Sequence, residues 1–226
     1  MLTLPHMKPL TDYLASVRDR QGEDYRTPYF DPCDGGIQAR ALFLLEAPGP
    51  QAVGSEFVSR NNPDPTARNL WYLMRDAGIP RSDTLIWNIV PWYVGEKGRI
   101  RPVNAGDVQQ SLPYLHELLD LLTRLQMIVL VGKKAQSAAP YIRAMTPLPI
   151  TQTYHMSAQV FNISPEKKRQ TQEAFVSIAQ FLQAWQENSL QTEAEPQSRR
   201  SAGDGAVRLS AENATLKAKE GGYEQS

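Results

Sequence analysis

The chain has 226 residues, 41% of them hydrophobic, which suffices for one full core and little more. Its 24 basic and 24 acidic residues cancel, so any polyanionic partner must be held by local clusters and not by a global field. A single cysteine, Cys33, excludes an internal disulfide, a thiolate-held iron–sulfur cluster and a four-cysteine zinc site. The histidines His6, His116 and His155 are too scattered to suggest zinc, so neither a metal nor a cofactor is expected. No signal-like apolar stretch opens the chain, and no apolar run reaches the length of a membrane span. The expectation is a cytoplasmic protein without membrane contact.

Met7, Leu10, Leu14 and Val17 predict a helix over residues 7–21, followed by an Asp-, Pro- and Gly-rich loop over 22–38. Ala41–Leu45 is a continuous apolar run suited to a strand covered on both faces. A helix follows from Thr66 to Ala77, with Asp64 or Thr66 as its cap and Gly78 as its stop. Thr84–Val90 is the second strand, halted by Pro91. Ala105–Leu125 predicts an amphipathic helix that Pro113 should kink or split. Met127–Val131 is the third strand, and Gly132 opens the helix after it. Leu148–Tyr154 is the fourth, with Pro149 arguing for a sheet edge or a late start. A last helix, Pro165–Trp185, carries Ala174, Phe175, Ile178, Phe181, Leu182 and Trp185 on one stripe. Strands alternating with helices imply a three-layer α/β/α domain over residues 1–187, with a four-stranded, mainly parallel sheet. Beyond it, residues 188–226 are too poor in apolar side chains to order themselves and are expected to be a disordered tail.

Chemistry-bearing residues cluster where strands end. Glu46-Ala47-Pro48-Gly49 follows the first strand, Asn88 closes the second, and His155-Met156-Ser157-Ala158 follows the fourth. Carboxyl ends of parallel strands are where open α/β sheets bind ligands, so a carboxylate, a carboxamide and an imidazole can converge on one cleft. Each residue also has a plain structural reading: Glu46 as a solvated acid, Asn88 as a turn former before Pro91, His155 as a packing histidine. Phe57 can simply pack on the core, and Lys133 and Lys134 can be ordinary solvated charges. A phosphate loop of the nucleotide-hydrolase kind and a Gly-x-Ser-x-Gly elbow are both missing, which argues against an unrelated small-molecule hydrolase.

Taken in order, the segments resemble the uracil-DNA glycosylase superfamily over roughly residues 25–185. Glu46-Ala47-Pro48-Gly49 and Asn88-Ile89-Val90-Pro91 resemble motifs of its iron–sulfur-bearing branch, and His155-Met156-Ser157-Ala158 resembles the His-Pro-Ser-Pro motif. Phe57 falls where those enzymes place an aromatic ring against the flipped base. The resemblance implies a uracil-DNA glycosylase-like fold and a monofunctional DNA glycosylase. Such an enzyme hydrolyses the N-glycosidic bond of uracil or another modified base flipped out of DNA and leaves an abasic site, in base-excision repair or in defence against modified viral DNA. It further implies a DNA partner, a monomer, and no cofactor, the cluster cysteines being absent.

On this reading Glu46, Asn88 and His155 are catalytic, and Ala47, Phe57 and Asn88 hold the base. His155 donates to the oxygen that gains charge as the base departs, and Glu46 orients water and favours the oxocarbenium-like sugar. The Asn88 amide offers both a donor and an acceptor to a Watson–Crick edge. Gly49, Lys133, Lys134, Ser157 and Gln159 are the expected DNA contacts, with the lysines at a helix start and Lys97–Arg101 as a second contact loop. Met156, Gln159 and Val160 are candidates for a wedge inserted into the duplex. Ala47 stands where the best-known branch carries a water-activating aspartate, Leu45 replaces the usual leading glycine, and both prolines of the histidine motif are missing. These departures support the alternative of a nucleic-acid-binding protein that kept the scaffold and lost catalysis.

Overall fold

The computed structural model describes residues 1–22, 25–96 and 99–194. Helix α1 (Lys8–Gln21) buries Leu10, Tyr13, Leu14 and Val17 on one stripe, at the spacing a 3.6-residue turn requires. Then come β1 (Tyr29–Phe30), β2 (Ala41–Leu45), α2 (Pro50–Ser55), β3 (Phe57–Val58) and α3 (Pro65–Asp76). β4 (Thr84–Asn88), β5 (Gly95–Glu96), β6 (Arg99–Ile100), α4 (Ala105–Leu121) and β7 (Met127–Val131) form the middle of the chain. α5 (Gly132–Ser137), α6 (Ala139–Met145), β8 (Ile150–Thr153) and α7 (Pro165–Ala194) follow.

The four apolar runs pair into one sheet of order β4-β2-β7-β8, all parallel, with helices between successive strands. Ala41 to Leu44 of β2 and Ile128 to Val131 of β7 are fully buried, as central strands covered on both faces must be. β8 is an edge strand that starts one residue after Pro149, whose carbonyl accepts the Ile128 N–H at 3.0 Å. Parallel pairing aligns Leu45 with Asn88, and Val131 with Thr153. The carboxyl ends of all four strands therefore open on one side of the sheet.

On one face, Phe175 of α7 packs its ring 5.6 Å from that of Phe43. Elsewhere Tyr13 of α1 donates to the Tyr114 carbonyl of α4 at 2.9 Å, and Arg20 forms a two-pronged pair with Glu117. The Trp92 ring stands edge-on to both Tyr25 and Tyr114, at 5.5 and 5.7 Å, so the loop after β4 is stapled to α4.

Two helices differ from expectation. α4 runs unbroken through Pro113 and ends at Leu121 instead of Leu125. Pro113 lies on the exposed face, and the carbonyl its ring leaves without a donor belongs to exposed Gln109, so water can take the missing bond. α7 continues past Trp185 to Ala194, because Gln, Glu and Ala sustain a helix as far as the turn before Pro196. Trp185, expected on the buried stripe, is 49% exposed. Met1–Leu182 forms one compact unit, and the described residues from Gln183 onward lie outside it. The rest of the expected tail, residues 195–226, lies outside the described residues.

A buried charge cluster ties the loop before β2 to the segment after β3. Asp34 accepts from Arg81 at 3.0 Å and from Arg60 at 3.3 Å, while Arg60 also donates to Thr84 and Arg81 also pairs with Asp31. Asp34 Oδ2 and Arg60 Nε are buried with no partner. Burial, only partly offset by the two guanidiniums, pushes the Asp34 carboxyl up to about 6 from an ordinary 3.8. A carboxyl whose folded pKa is raised contributes stability that is complete below its unfolded pKa and is lost as pH rises through the folded one. The stability advantage of wild type over Asp34→Asn should therefore shrink by roughly 3 kcal/mol between about pH 4 and pH 7, at about 1.4 kcal/mol per pKa unit. Urea unfolding of both proteins across that range measures it, and a pH-independent difference would refute it.

Candidate active site

Where β2 and β4 end, their backbone ladder does not. The Ile89 N–H donates to the Leu45 carbonyl at 2.8 Å and the Val90 N–H to the Glu46 carbonyl at 3.0 Å. These bonds hold Glu46 and Asn88 side by side at the lip of the sheet. The chain then turns through Ala47, Pro48 and Gly49, and Pro50 begins α2 with its φ already helical. Asn88 is 3% exposed, and its amide nitrogen is buried without a hydrogen-bond partner. An unpaired buried donor costs about 1–3 kcal/mol, which a ligand acceptor would recover.

His155 follows β8 and rests on Gly132. Gly132 turns the chain from β7 into α5 with φ of +83°, and a Cβ built there would lie 3.0 Å from His155 Cβ and 3.3 Å from its Cδ2. Only glycine satisfies both the left-handed turn and the ring above it. The Ser157 backbone N–H donates to His155 Nδ1 at 3.1 Å, which places the proton of the neutral ring on Nε2. Burial pushes the imidazole below its ordinary 6.5, against the opposing pull of the Glu46 and Asp64 charges. At neutral pH the ring is thus an uncharged Nε2–H donor.

Glu46 reaches across to the segment after β6, where its Oε1 accepts the Val103 N–H at 3.2 Å. The Val103 carbonyl in turn accepts from Lys134 Nζ at 2.6 Å. Arg101 binds Asp107 with two bonds of 2.6 and 2.7 Å and holds that carboxyl below the usual range. Asp107 also closes a reciprocal cap with Asn104 at the start of α4.

One cavity of about 750 Å³ collects Glu46, Ala47, Gly49, Asn88, Lys134, His155 and Gln159 on its lining, between apolar walls that include Leu45, Val58, Leu70, Ile86 and Val94. Three other expected site residues are placed differently. The Phe57 ring is half-buried outside the lining, 5.9 Å from Tyr29 on the small β1–β3 sheet, because its parallel pairing with β1 sets it beside that ring. Lys133 is exposed and also off the lining. Ser157 serves through its backbone, on the imidazole. Met156 is fully buried and its carbonyl accepts from Asn69 at 2.8 Å, so it is a core residue and no wedge; Val160 is half-buried. Of the second contact loop, Lys97 and Gly98 lie outside the described residues, and Arg101 lines the cavity while bound to Asp107. Cys33, the one thiol, is exposed, so the residues do not fit an iron–sulfur cluster.

The local sequence marks Asp64 only as a candidate cap. Its Oδ1 does accept the Thr66 and Ala67 N–H groups at 2.9 and 3.0 Å, yet the residue also lines the cavity and its charge reaches His155. Nothing local in Pro63-Asp64-Pro65 announces that second placement, which arises from α3 packing beside the histidine segment. The cavity thus sets two carboxylates against two neutral N–H donors.

A family model of the uracil DNA glycosylase superfamily matches residues 32–185. No curated protein matches the chain. Among solved structures, the solution NMR structure of a candidate uracil DNA glycosylase from Methanosarcina acetivorans is similar at 14% identity and a TM-score of 0.44, over 62% of this chain and 91% of that one.

Two measurements probe the seat of the imidazole. In an NMR titration, Glu46→Gln should lower the His155 pKa further, and Asp64→Asn should lower it by less, since each removes a charge that favours the protonated ring; Asn caps a helix as well as Asp, so α3 should survive. An unchanged His155 titration in both variants would contradict the geometry. Gly132→Ala should cost about 1–2 kcal/mol from the left-handed backbone alone and displace the ring, seen as a shifted His155 resonance; an unshifted resonance would show that the seat is not tight.

Proposed function

Since this chain belongs to the uracil DNA glycosylase superfamily, we propose that it is a monofunctional DNA glycosylase that hydrolyses the N-glycosidic bond of a uracil or other altered base swung out of DNA, leaving an abasic site. The observation that carries the reading is the meeting of Glu46, Asn88 and His155 in one cavity where the Asn88 amide nitrogen lacks a partner. A base edge entering the cavity supplies the missing acceptor. The His155 Nε2–H then donates to the base oxygen on which negative charge builds as the bond lengthens. A neutral donor suits this role, because it stabilises the leaving oxyanion without having to surrender a proton.

Glu46 acts on the other side of the bond. Its carboxylate opposes the positive charge of the oxocarbenium-like sugar and orients the water that attacks the anomeric carbon, taking the water's proton as the bond forms. Ala47 leaves room at the turn, and Gly49 has open space where a side chain would be, so the backbone there can approach the base or its phosphate. Ser59, Asn62 and Asp64 line the same cavity and give the base further polar partners. The base excised, and a role in repair or in defence against modified viral DNA, belong to this proposal and are settled by assay.

The second reading, a binder without catalysis, is favoured by two features. Ala47 stands in place of an aspartate, and no Phe, Tyr or Trp is among the described residues that line the cavity. The two readings separate cleanly. On oligonucleotides bearing uracil, hypoxanthine, xanthine or modified cytosines, wild type should yield alkali-labile abasic sites on at least one base. Glu46→Gln and His155→Ala should each slow single-turnover excision by about 10²–10³-fold while leaving DNA affinity within a few-fold. Folded wild-type protein that binds DNA but releases no base from the panel would establish the binder.

A further inference from the structure

Lys134 was expected to meet phosphate, yet its ammonium is turned onto the protein's own backbone. It sits in the first turn of α5, half-buried on the cavity wall, with Nζ 2.6 Å from the Val103 carbonyl. Val103 belongs to a segment, residues 101–104, that lies in no helix or strand, and its backbone is tied at the near end by the Arg101 N–H, which donates to the Val94 carbonyl at 3.3 Å. Beyond that bond the segment is pinned by side chains. Arg101 donates to the Pro102 carbonyl at 3.2 Å while its fork grips Asp107, and Asn104 exchanges two bonds with Asp107 at the start of α4. The Val103 side chain is 1% exposed and anchored in the core. Between these pins the Val103 N–H is presented to Glu46 Oε1 at 3.2 Å.

We propose that Lys134 is a positioning residue for Glu46, acting through Val103. The inference rests on the reading of Glu46 as the water-orienting carboxylate. A glutamate has three side-chain torsions, and a carboxylate at the end of a strand explores several rotamers unless something holds it. One fixed N–H on Oε1 leaves Oε2 to face the cavity in a defined direction. The ammonium holds the carbonyl side of Val103, so that its N–H side stays where Glu46 needs it. Loss of the ammonium frees the segment and spreads Glu46 over rotamers, whereas Asn88 and His155 still receive the base. The expected penalty therefore falls on the chemical step and spares binding. A phosphate contact would produce the reverse pattern, a weaker complex that is less sensitive to salt with an unchanged rate at saturation.

The test uses the full chain with Lys134→Met and Lys134→Arg. Amide hydrogen exchange at Val103, read by NMR, should quicken by about tenfold or more in Lys134→Met and stay near wild type in Lys134→Arg. On whichever base wild type excises, Lys134→Met should lower the saturating single-turnover rate by about tenfold, with half-saturation unchanged and the rate restored by Lys134→Arg. Lys134→Gln, which keeps a neutral donor of shorter reach, is read in the same way should Lys134→Met fail to fold. Unchanged Val103 exchange in the Met or Gln variant overturns the proposal, as does a defect confined to half-saturation and its salt dependence. If wild type excises no base, the glycosylase reading falls while the Val103 exchange still decides whether the lysine holds the segment.

Discussion

The site depends on one constraint, the parallel register of four short strands. Parallel pairing gives every strand the same polarity, so whatever follows each strand emerges at the same edge of the sheet. The pairing of Leu45 with Asn88 continues one residue further through the bonds of Ile89 and Val90, and that extension puts a carboxylate beside a carboxamide. On the far side of β7, the pairing of Val131 with Thr153 brings the turn at Gly132 beneath His155, the second residue after β8. A slip of one residue in either pairing would turn a polar group into the core and an apolar one into the cavity. The burial of both faces of β2 and β7 makes such a slip expensive.

Within this frame the imidazole and the carboxylates are set against one another. Desolvation favours the neutral ring, and two nearby negative charges favour the protonated one, with burial the larger effect. A backbone N–H then removes the remaining ambiguity by occupying Nδ1. The result is a directional, uncharged donor, and in the proposed reaction its charge state would not have to change. Glu46 is treated similarly: a backbone N–H takes one of its oxygens, and the residue lines the cavity. Main-chain groups, which cannot rotate away, set the direction of both polar side chains.

The four strands of the main sheet are legible from their apolar runs, and Pro149 points to the edge position or late start that β8 shows. Asp64 is one of the two caps the sequence offers for α3, whereas the two-residue strands β1, β3, β5 and β6 carry no such signal. The gathering of Glu46, Asn88 and His155 is legible too, since strand ends alone imply it. The parts that were not legible depend on partners distant in sequence. Phe57 is directed by pairing with Tyr29, a neighbour separated from it in the chain by a loop, strand β2 and helix α2. The burial of Met156 follows from the packing of the histidine segment on α3, where Asn69 binds its carbonyl, and no residue near 156 signals it. Pro113 reads as a helix breaker until the exposure of Gln109 shows that the lost bond is available to water. The exposed end of Trp185 and the extra turns of α7 were misjudged for a similar reason, because an apolar stripe does not say how far its cover extends.

The distribution of charge around the cavity has a consequence for how DNA would be held. Glu46 and Asp64 line the interior, while the two cations on the same lining spend hydrogen bonds on the protein, Lys134 on Val103 and Arg101 on Asp107 and Pro102. On the proposed reading, two carboxylates facing a sugar that becomes positive would lower the barrier, but the same carboxylates would repel the phosphates on either side of that sugar. Attraction for the strand must then come from outside the carboxylate pair. The open backbone at Gly49 and Gln159, both on the lining, and the exposed Lys133 at the start of α5 are the groups that would supply it on that reading. On that reading an interior that stabilises the transition state and a rim that binds the backbone need opposite signs of charge, which a chain with equal numbers of acidic and basic residues can provide only by separating them in space.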